Sequence, residues 1–255
     1  MSLQEILLPL LAITFGASVL QGAIGFGFGL VAVAALSLFL PVRACTPVVA
    51  ILNAPVIVYV FWSLRRSVVW SRLTPVLIGV LVGIPFGVFV LKLWPNALLL
   101  RILGVILLFT AFRTIKGGRN GNGEDCDEAP LRPWLDRIVS VSVGAASGAL
   151  GGAFNTGGPP VIAWVYSRPW TKEQRTATVQ AVFFLSSFAR ILTMASAGLY
   201  TRDLVMAGLI GVPVGILGAL AGYAIFKRVP RRALEIITAL FLVFMGLKLI
   251  LAPGG

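Results

Sequence analysis

The chain has 255 residues, of which 58% are hydrophobic and 12% are charged, with no histidine, a net charge of +12 and a mean hydropathy of +0.96. Soluble domains carry about twice this share of charged residues, so the composition excludes a soluble protein, and the missing histidine excludes serine–histidine catalysis, histidine-ligated zinc or haem and imidazole proton relays. The positive charge does not indicate nucleic-acid binding, because basic residues collect in the cytoplasmic loops of membrane proteins.

Hydrophobic runs between charged residues or Pro/Gly punctuation predict an all-α, polytopic membrane protein with about ten transmembrane segments. A helix needs about 20 apolar residues to cross a bilayer, so the second and seventh runs are expected to be short or re-entrant. In chain order the predicted segments are Leu3–Leu20, Phe28–Leu40, Thr46–Leu64, Leu73–Leu93, Ala97–Phe112, Leu135–Leu150, Pro159–Trp164, Thr176–Ala197, Leu204–Phe226 and Ala233–Leu251.

A polar stretch at residues 113–133 divides the chain into a first transmembrane repeat, residues 1–112, and a second one, residues 134–255. The glycines and asparagines from Lys116 to Gly123 are typical of a flexible linker. The acidic run from Glu124 to Glu128 lacks the spaced oxygen ligands of a calcium-binding loop. We therefore interpret the whole stretch as a linker.

The distribution of basic residues predicts the orientation of the segments. If the loops after segments three, five, seven and nine are cytoplasmic, 15 of the 21 basic residues lie inside, five lie outside and Arg190 lies within a span. Because basic residues favour the cytoplasmic side of short loops, we expect the linker in the cytoplasm and both termini outside. The five outer residues are Arg43, Lys92, Arg101, Arg202 and Lys248.

The two halves of the chain resemble each other weakly around a glycine-rich stretch between the first and second segment of each half. Five segments per half is an odd number, so the halves would have opposite orientations in the membrane. This predicts a 5+5 inverted repeat with broken helices, the architecture of many secondary transporters. The matched pairs, at offsets of 129 and 127, are Ser18 with Ser147, Gly22 with Gly151, Gly29 with Gly158, and Asn53-Ala54 with Gln180-Ala181.

The glycine-rich stretches predict helix breaks whose backbone binds an anion. Backbone that leaves a helix inside a membrane must be buried in protein or line a cavity. In the second half, Asn155 or Thr156 is expected to cap the start of a helix whose first turn holds Pro159 and Pro160. Free N–H groups and a partial positive charge at such a helix start form an anion site. The alternative is that glycines such as Gly22 only allow close helix packing.

Four polar side chains stand out in or beside the predicted spans: Gln21, Asn53, Gln180 and Arg190. Amides inside a membrane either bind a solute or bond neighbouring helices, and a buried arginine indicates function unless it reaches the headgroups. We therefore predict one central substrate site, with no metal and no cofactor. Its candidate residues are Gln21, Gly25, Gly27, Gly29, Asn53, Asn155, Thr156, Gly157, Gly158, Gln180 and Arg190.

The most specific feature of the sequence is the segment Gly151-Gly152-Ala153-Phe154-Asn155-Thr156-Gly157-Gly158-Pro159-Pro160-Val161. Together with the similar break that opens the first half, it resembles the TauE/SafE sulfite exporter family, also called the toluene sulfonate uptake permease family. The resemblance covers essentially the whole chain. It implies a multi-pass transporter of the bacterial inner membrane that exports sulfite, sulfoacetate or another organosulfonate.

The sequence leaves two alternative functions open, and a third, an enzyme, is not expected. A transporter of the same fold could carry another anion or an uncharged solute, and an anion channel could be built from the same site; counterflow distinguishes a carrier from a channel. An enzyme is not expected, because the acids near the spans, Glu5, Asp203 and Glu235, all lie close to helix ends.

The predicted orientation can be tested by cysteine labelling. Gly121→Cys in the linker and Arg231→Cys are expected to react only from the cytoplasmic side, and Asn96→Cys only from the opposite side, because the basic residues divide 15 to five. Labelling of positions 121 and 96 from the same side would contradict the inverted repeat.

Overall fold

The computed structural model describes residues 3–24, 27–117, 132–226 and 231–251, and within these ranges the secondary structure is entirely helical, as predicted. A short 3-10 turn, Arg65–Ser67, follows the third of ten α-helices. The helices are α1 (Leu3–Ile24), α2 (Phe28–Leu36), α3 (Val42–Leu64), α4 (Trp70–Leu93), α5 (Asn96–Gly117), α6 (Pro133–Phe154), α7 (Gly158–Tyr166), α8 (Lys172–Ser196), α9 (Arg202–Phe226) and α10 (Arg231–Leu251).

The helices fall into two length classes. Among the described residues, α3, α4, α5, α6, α8 and α9 contain stretches long and apolar enough to cross a membrane, while α1 and α10 contain the shorter apolar stretches Leu7–Ala23 and Ile236–Leu251. The helices α2 and α7 have nine residues each, or about 13.5 Å at 1.5 Å per residue. A bilayer core is about 30 Å thick, so neither α2 nor α7 can cross it alone.

Glycines allow two helix pairs, α4 with α6 and α1 with α9, to pack backbone against backbone. A Cβ atom added at any of these glycines would collide with a backbone carbonyl oxygen of the partner helix. Membrane helices associate through such small residues because lipid supplies no hydrophobic force between them. The glycines are Gly79, Gly83 and Gly87 on α4, Gly144, Gly148 and Gly152 on α6, Gly22 on α1, and Gly218 and Gly222 on α9. Close packing is thus one role of Gly22 and Gly148.

Polar contacts tie the loops together at the two ends of the helix assembly. At one end, Asp136 at the start of α6 pairs with Arg168, which follows α7, and lies 3.7 Å from Arg72 on α4. At the other end, Arg43 donates to the carbonyl oxygens of Leu91 and Trp94 at 3.0 and 2.7 Å. Basic residues assigned from the sequence to one side of the membrane therefore share one end of the structure.

The glycine packing can be tested by a matched pair of alanine substitutions. Gly83→Ala is expected to lower the free energy of unfolding by about 1–3 kcal/mol, because the added Cβ meets the Ala145 backbone, which cannot move aside cheaply. Gly16→Ala is the control, since an added Cβ there meets no atom within 4 Å. Thermal unfolding of both variants in detergent is the measurement, and equal stability would contradict the packing role.

Candidate functional site

Each half of the chain contains one helix break with left-handed backbone. Gly27 has φ 105° and precedes α2, and Asn155 has φ 56° and follows α6. Glycine adopts this conformation without cost and asparagine is among the few other residues that tolerate it. The remaining positive φ among the described residues belongs to Gly198, in the turn between α8 and α9.

The two breaks touch each other at the centre of the protein. A Cβ at Gly29, in the first turn of α2, would collide with the backbone carbonyl of Asn155. Ser147 on α6 donates to the carbonyl oxygen of Gly157, and Thr46 on α3 donates to that of Ala153 at 3.1 Å. Residues from α2, α3 and α6 therefore meet where the two breaks touch. The backbone carbonyls that these residues contact belong to Ala153, Asn155 and Gly157.

A cavity that is partly open to solvent lies at this point, and its empty space of about 620 Å³ includes the solvent at the open side. It is lined by nine of the eleven predicted site residues: Gln21, Gly27, Gly29, Asn53, Asn155, Thr156, Gly157, Gly158 and Arg190. Gly25 lies outside the described residues. Gln180 is buried in α8 but does not line the cavity.

The predicted cap of α7 is wrong. Asn155 ends α6 instead, with its N–H donating to the Gly151 carbonyl at 2.9 Å, and Thr156 faces the Leu150 carbonyl. The residue that caps α7 is Gly157, which offers no side chain for the purpose. Hydrogen bonds from the Asn155 and Thr156 backbone to the preceding helix hold both residues on the α6 side of the break.

The short helices differ in the number of N–H groups that they offer to the cavity. Pro159 and Pro160 lie in the first turn of α7 as predicted, but proline has no N–H, so Gly158 alone of the first three residues has one. In α2 the first three residues, 28–30, all keep their N–H groups and line the cavity. Intrahelical bonding there begins with Val31. The first half of the chain therefore supplies most of the helix-terminus donors.

Arg190 is a buried cation at the cavity wall. Its side chain is 5% exposed, and its Nη1 lies 3.5 Å from the position that a Cβ of Gly151 would occupy. Its Nε has no hydrogen-bond partner, and no carboxylate of the described residues pairs with it. The alternative in which Arg190 reaches the lipid headgroups is not what the structure shows, because a side chain at the headgroups would be exposed.

A tyrosinate does not supply the missing counter-charge. Tyr200, in the turn between α8 and α9, is the phenol that interacts electrostatically with Arg190, and burial raises the pKa of Tyr200 to about 12, against the opposing effect of the arginine charge. The phenol is therefore neutral at physiological pH. No acidic side chain of the described residues therefore compensates the charge of Arg190.

Two amides add unsatisfied polar groups to the cavity. Both side-chain polar atoms of Asn155 and the Oδ1 of Asn53 are buried without a hydrogen-bond partner. A buried polar group without a partner costs about 1–3 kcal/mol. The Arg190 guanidinium, the Asn155 Nδ2 and the backbone N–H groups at the start of α2 are hydrogen-bond donors, whereas the two Oδ1 atoms are acceptors, and no acidic side chain lines the cavity. This combination suits a small anion with several acceptor oxygens.

Sequence reasoning did not identify several other residues of the cavity wall. Ser186 lies four residues before Arg190, so helical spacing alone places both on one face of α8. Ser147 was visible as a match between the halves. The apolar residues of the wall, Phe28, Ile57, Ile84 and Phe183, have no sequence signal that separates them from other hydrophobic residues of the spans.

Comparison with known proteins gives two matches that cover most of the chain. The family model described as Sulfite exporter TauE/SafE matches residues 10–249. A relative from Cupriavidus necator, "Probable sulfite/organosulfonate exporter TauE", is 26% identical over 226 residues, which are 86% of this chain and 84% of that protein. No solved structure matches the chain.

The unpaired state of Arg190 can be tested by replacing it with an uncharged residue of similar length. Arg190→Met is expected to leave thermal stability in anion-poor detergent buffer unchanged or higher, because it removes a buried charge that has no partner. Arg168→Met is the control, and it should lower stability by about 1–3 kcal/mol, because it leaves the partly buried Asp136 carboxylate without its main partner. Strong destabilisation by Arg190→Met alone would assign Arg190 a structural role.

Proposed function

We propose that this chain, which belongs to the TauE/SafE sulfite exporter family, is a secondary transporter that exports a small sulfur-containing anion, either sulfite or an organosulfonate such as sulfoacetate, from the bacterial cytoplasm. It is a multi-pass membrane protein and not an enzyme. The observation that best supports an anionic substrate is the position of Arg190. Its guanidinium is buried at the wall of a central cavity and has no carboxylate partner in the described part of the chain.

The chemistry of the cavity fits a sulfur oxyanion. The sulfonate and sulfite groups present three acceptor oxygens, and the Arg190 guanidinium can donate to two of them at once. The N–H groups at the start of α2 and the amides of Asn53 and Asn155 supply further donors. Apolar side chains of the wall, among them Ile57 and Phe183, suit contact with the carbon chain of an organosulfonate.

The proposed inverted repeat gives this site a means of alternating access. If each helix of the first half is exchanged with the helix five places later, the α4–α6 pair becomes α9–α1, α3–α9 becomes α8–α4, and α1–α2 becomes α6–α7. All of these pairs are in contact. Rocking of one repeat against the other would then open the central site to each side in turn.

A sequence match in the fourth helix of each half supports the same exchange. The segment Gly83-Ile84-Pro85-Phe86-Gly87 of α4 matches Gly211-Val212-Pro213-Val214-Gly215 of α9 at an offset of 128. In both helices the proline removes one backbone hydrogen bond and favours a bend. The glycines of α4 pack against α6, and Gly215 packs against α1, so the matched segments occupy corresponding interfaces.

The driving force proposed for export is the membrane potential. A proton-coupled carrier normally keeps an ionisable acid or histidine in its spans. This chain has no histidine, and no acid lines the cavity. Export of an anion from a cell that is negative inside is already downhill, by about 2.3 kcal/mol per charge per 100 mV. Electrogenic uniport therefore requires no coupling ion.

The proposal is tested with purified protein in liposomes loaded with sulfite or sulfoacetate. Valinomycin and a potassium gradient set the potential, and efflux is expected to accelerate as the interior is made more negative. Efflux that ignores the potential but follows an imposed pH gradient would indicate proton coupling instead. Accumulation of labelled substrate in counterflow would distinguish a carrier from an open channel.

Arg190→Met is the matched control for the site in a second measurement, the thermal stability of the purified protein with and without the anion. The parent protein is expected to gain thermal stability with the transported anion, by about 2.7 kcal/mol at 100 times its Kd, and the variant is expected to gain none. If sulfate, sulfite and a panel of sulfonates all fail to stabilise the parent, the substrate belongs to another chemical class.

A further inference from the structure

Two hydroxyl groups of α1 are fully buried and have no hydrogen-bond partner. Thr14 and Ser18 are both 0% exposed, and the Oγ1 of the first and the Oγ of the second are unpaired. Residues four and three apart share one face of a helix, so Thr14, Ser18 and Gln21 form one polar row. Gln21 lines the cavity, and the row therefore begins at the substrate site.

The row faces Gly215 on α9, a residue without a side chain. A Cβ added at Gly215 would lie 3.4 Å from the Ser18 Oγ, 3.6 Å from the Thr14 methyl group and 3.8 Å from the backbone oxygen of Leu52 on α3. The next residue of α3 is Asn53, which lines the cavity. Polar groups of α1 and α3 thus surround one spot that lies about one helical turn, 5.4 Å, from the cavity.

Ordinary helix structure does not explain these two hydroxyls. Threonine inside a helix commonly donates to the carbonyl four residues earlier. Five other threonines of the described helices make this bond: Thr46, Thr110, Thr114, Thr193 and Thr238. Each unpaired hydroxyl of α1 instead destabilises the folded state described here.

The second repeat does not reproduce the row. At the offset of 129, the positions that correspond to Thr14, Ser18 and Gln21 are Val143, Ser147 and Leu150. Ser147, the polar one of these, donates to the Gly157 carbonyl. Two of the three polar groups are therefore peculiar to the first half, so packing requirements shared by the two repeats do not account for them.

We propose that Thr14, Ser18 and Gln21 form the exit half of the translocation route, a polar track that leads from the cavity along α1 towards its N-terminal end. This inference rests on the proposed transport function. In the conformation described, the close contacts of Gly218 and Gly222 with α1 hold the track shut. When α1 and α9 separate, the two hydroxyls donate to the oxygens of the departing anion and to water. From Gln21 to Thr14 the track is about 10.5 Å long.

The first test removes each hydroxyl with as little change in side-chain shape as the natural residues allow. Thr14→Val and Ser18→Ala are each expected to leave sulfoacetate binding to the purified protein unchanged and to slow its efflux from liposomes about tenfold, the effect of one lost hydrogen bond in the rate-limiting step. Their thermal stability should not fall, because the hydroxyls they remove are unpaired. A structural hydroxyl would behave in the opposite way, with lower stability and unaltered efflux.

Thr110→Val is the control for this test. Thr110 is also a buried threonine, but its hydroxyl is bonded to the Ile106 carbonyl and it does not line the cavity. Its replacement should leave efflux at the parent rate. Parent-like efflux in Thr14→Val and Ser18→Ala would overturn the track.

The second test asks from which side the track opens and does not depend on knowing the substrate. Thr14→Cys and Ser18→Cys are made in a Cys126→Ser background, whose remaining thiol, Cys45, is fully buried. Both are expected to react with the membrane-impermeant sulfonate reagent 2-sulfonatoethyl methanethiosulfonate added from the side opposite the linker, and the background protein should not react.

The outcomes separate the track from the transport proposal. Reaction only from the linker side, or no reaction from either side, would overturn the track. If no sulfonate or sulfite is bound or transported by the parent while the two cysteines still react from the side opposite the linker, the proposed substrate fails and the track stands as the route of another solute.

Discussion

The structure depends on one constraint, that backbone N–H and C=O groups inside a membrane must find partners within the protein. The breaks at Gly27 and Asn155 interrupt the helical bonding in both halves of the chain. They can exist there only because other helices enclose them. The glycine interfaces of α4 with α6 and of α1 with α9 bring the long helices close enough to do so, and the donors left at the break then face a cavity instead of lipid.

The same constraint explains why the cavity is electrostatically incomplete. A guanidinium remains charged under all physiological conditions, and Arg190 is buried where no described carboxylate pairs with it. The basic residues at the linker end differ in this respect, since Asp136 pairs with Arg168 and lies near Arg72. A bound anion would accept hydrogen bonds from Arg190 and from the Asn155 Nδ2, so binding the substrate also lowers the cost of burying these donors. The unpaired Oδ1 atoms of Asn53 and Asn155 need a donor instead, such as a water molecule that accompanies the anion.

Much of the architecture could be predicted from the sequence, because its signals are local. Hydrophobic runs give the helices, and Gly-Gly-Pro-Pro at residues 157–160 gives the second break. The cap of α7 and the place of Gln180 could not be predicted in this way. Both depend on the rotation of a helix about its axis and on the residue at which a break begins. Contacts between residues that are not neighbours in the chain, such as the hydrogen bond from Ser147 to the Gly157 carbonyl, determine these features. The match of α4 with α9 is visible in the sequence, but its meaning depends on which helices touch.

Buried polar groups with partners and buried polar groups without partners lie in different parts of the protein, and in the proposed transport cycle the second kind lies where the helices move. Hydroxyls that hold the framework, such as those of Thr46 and Ser147, are paired with backbone carbonyls. Those of Thr14 and Ser18, and the amide of Asn155, are buried without partners. Since each unpaired group favours any conformation in which it meets water or a solute, their concentration between α1 and the cavity lowers the cost of opening there. In the proposed transport cycle, the cost of burying these unpaired groups favours the separation of α1 from α9.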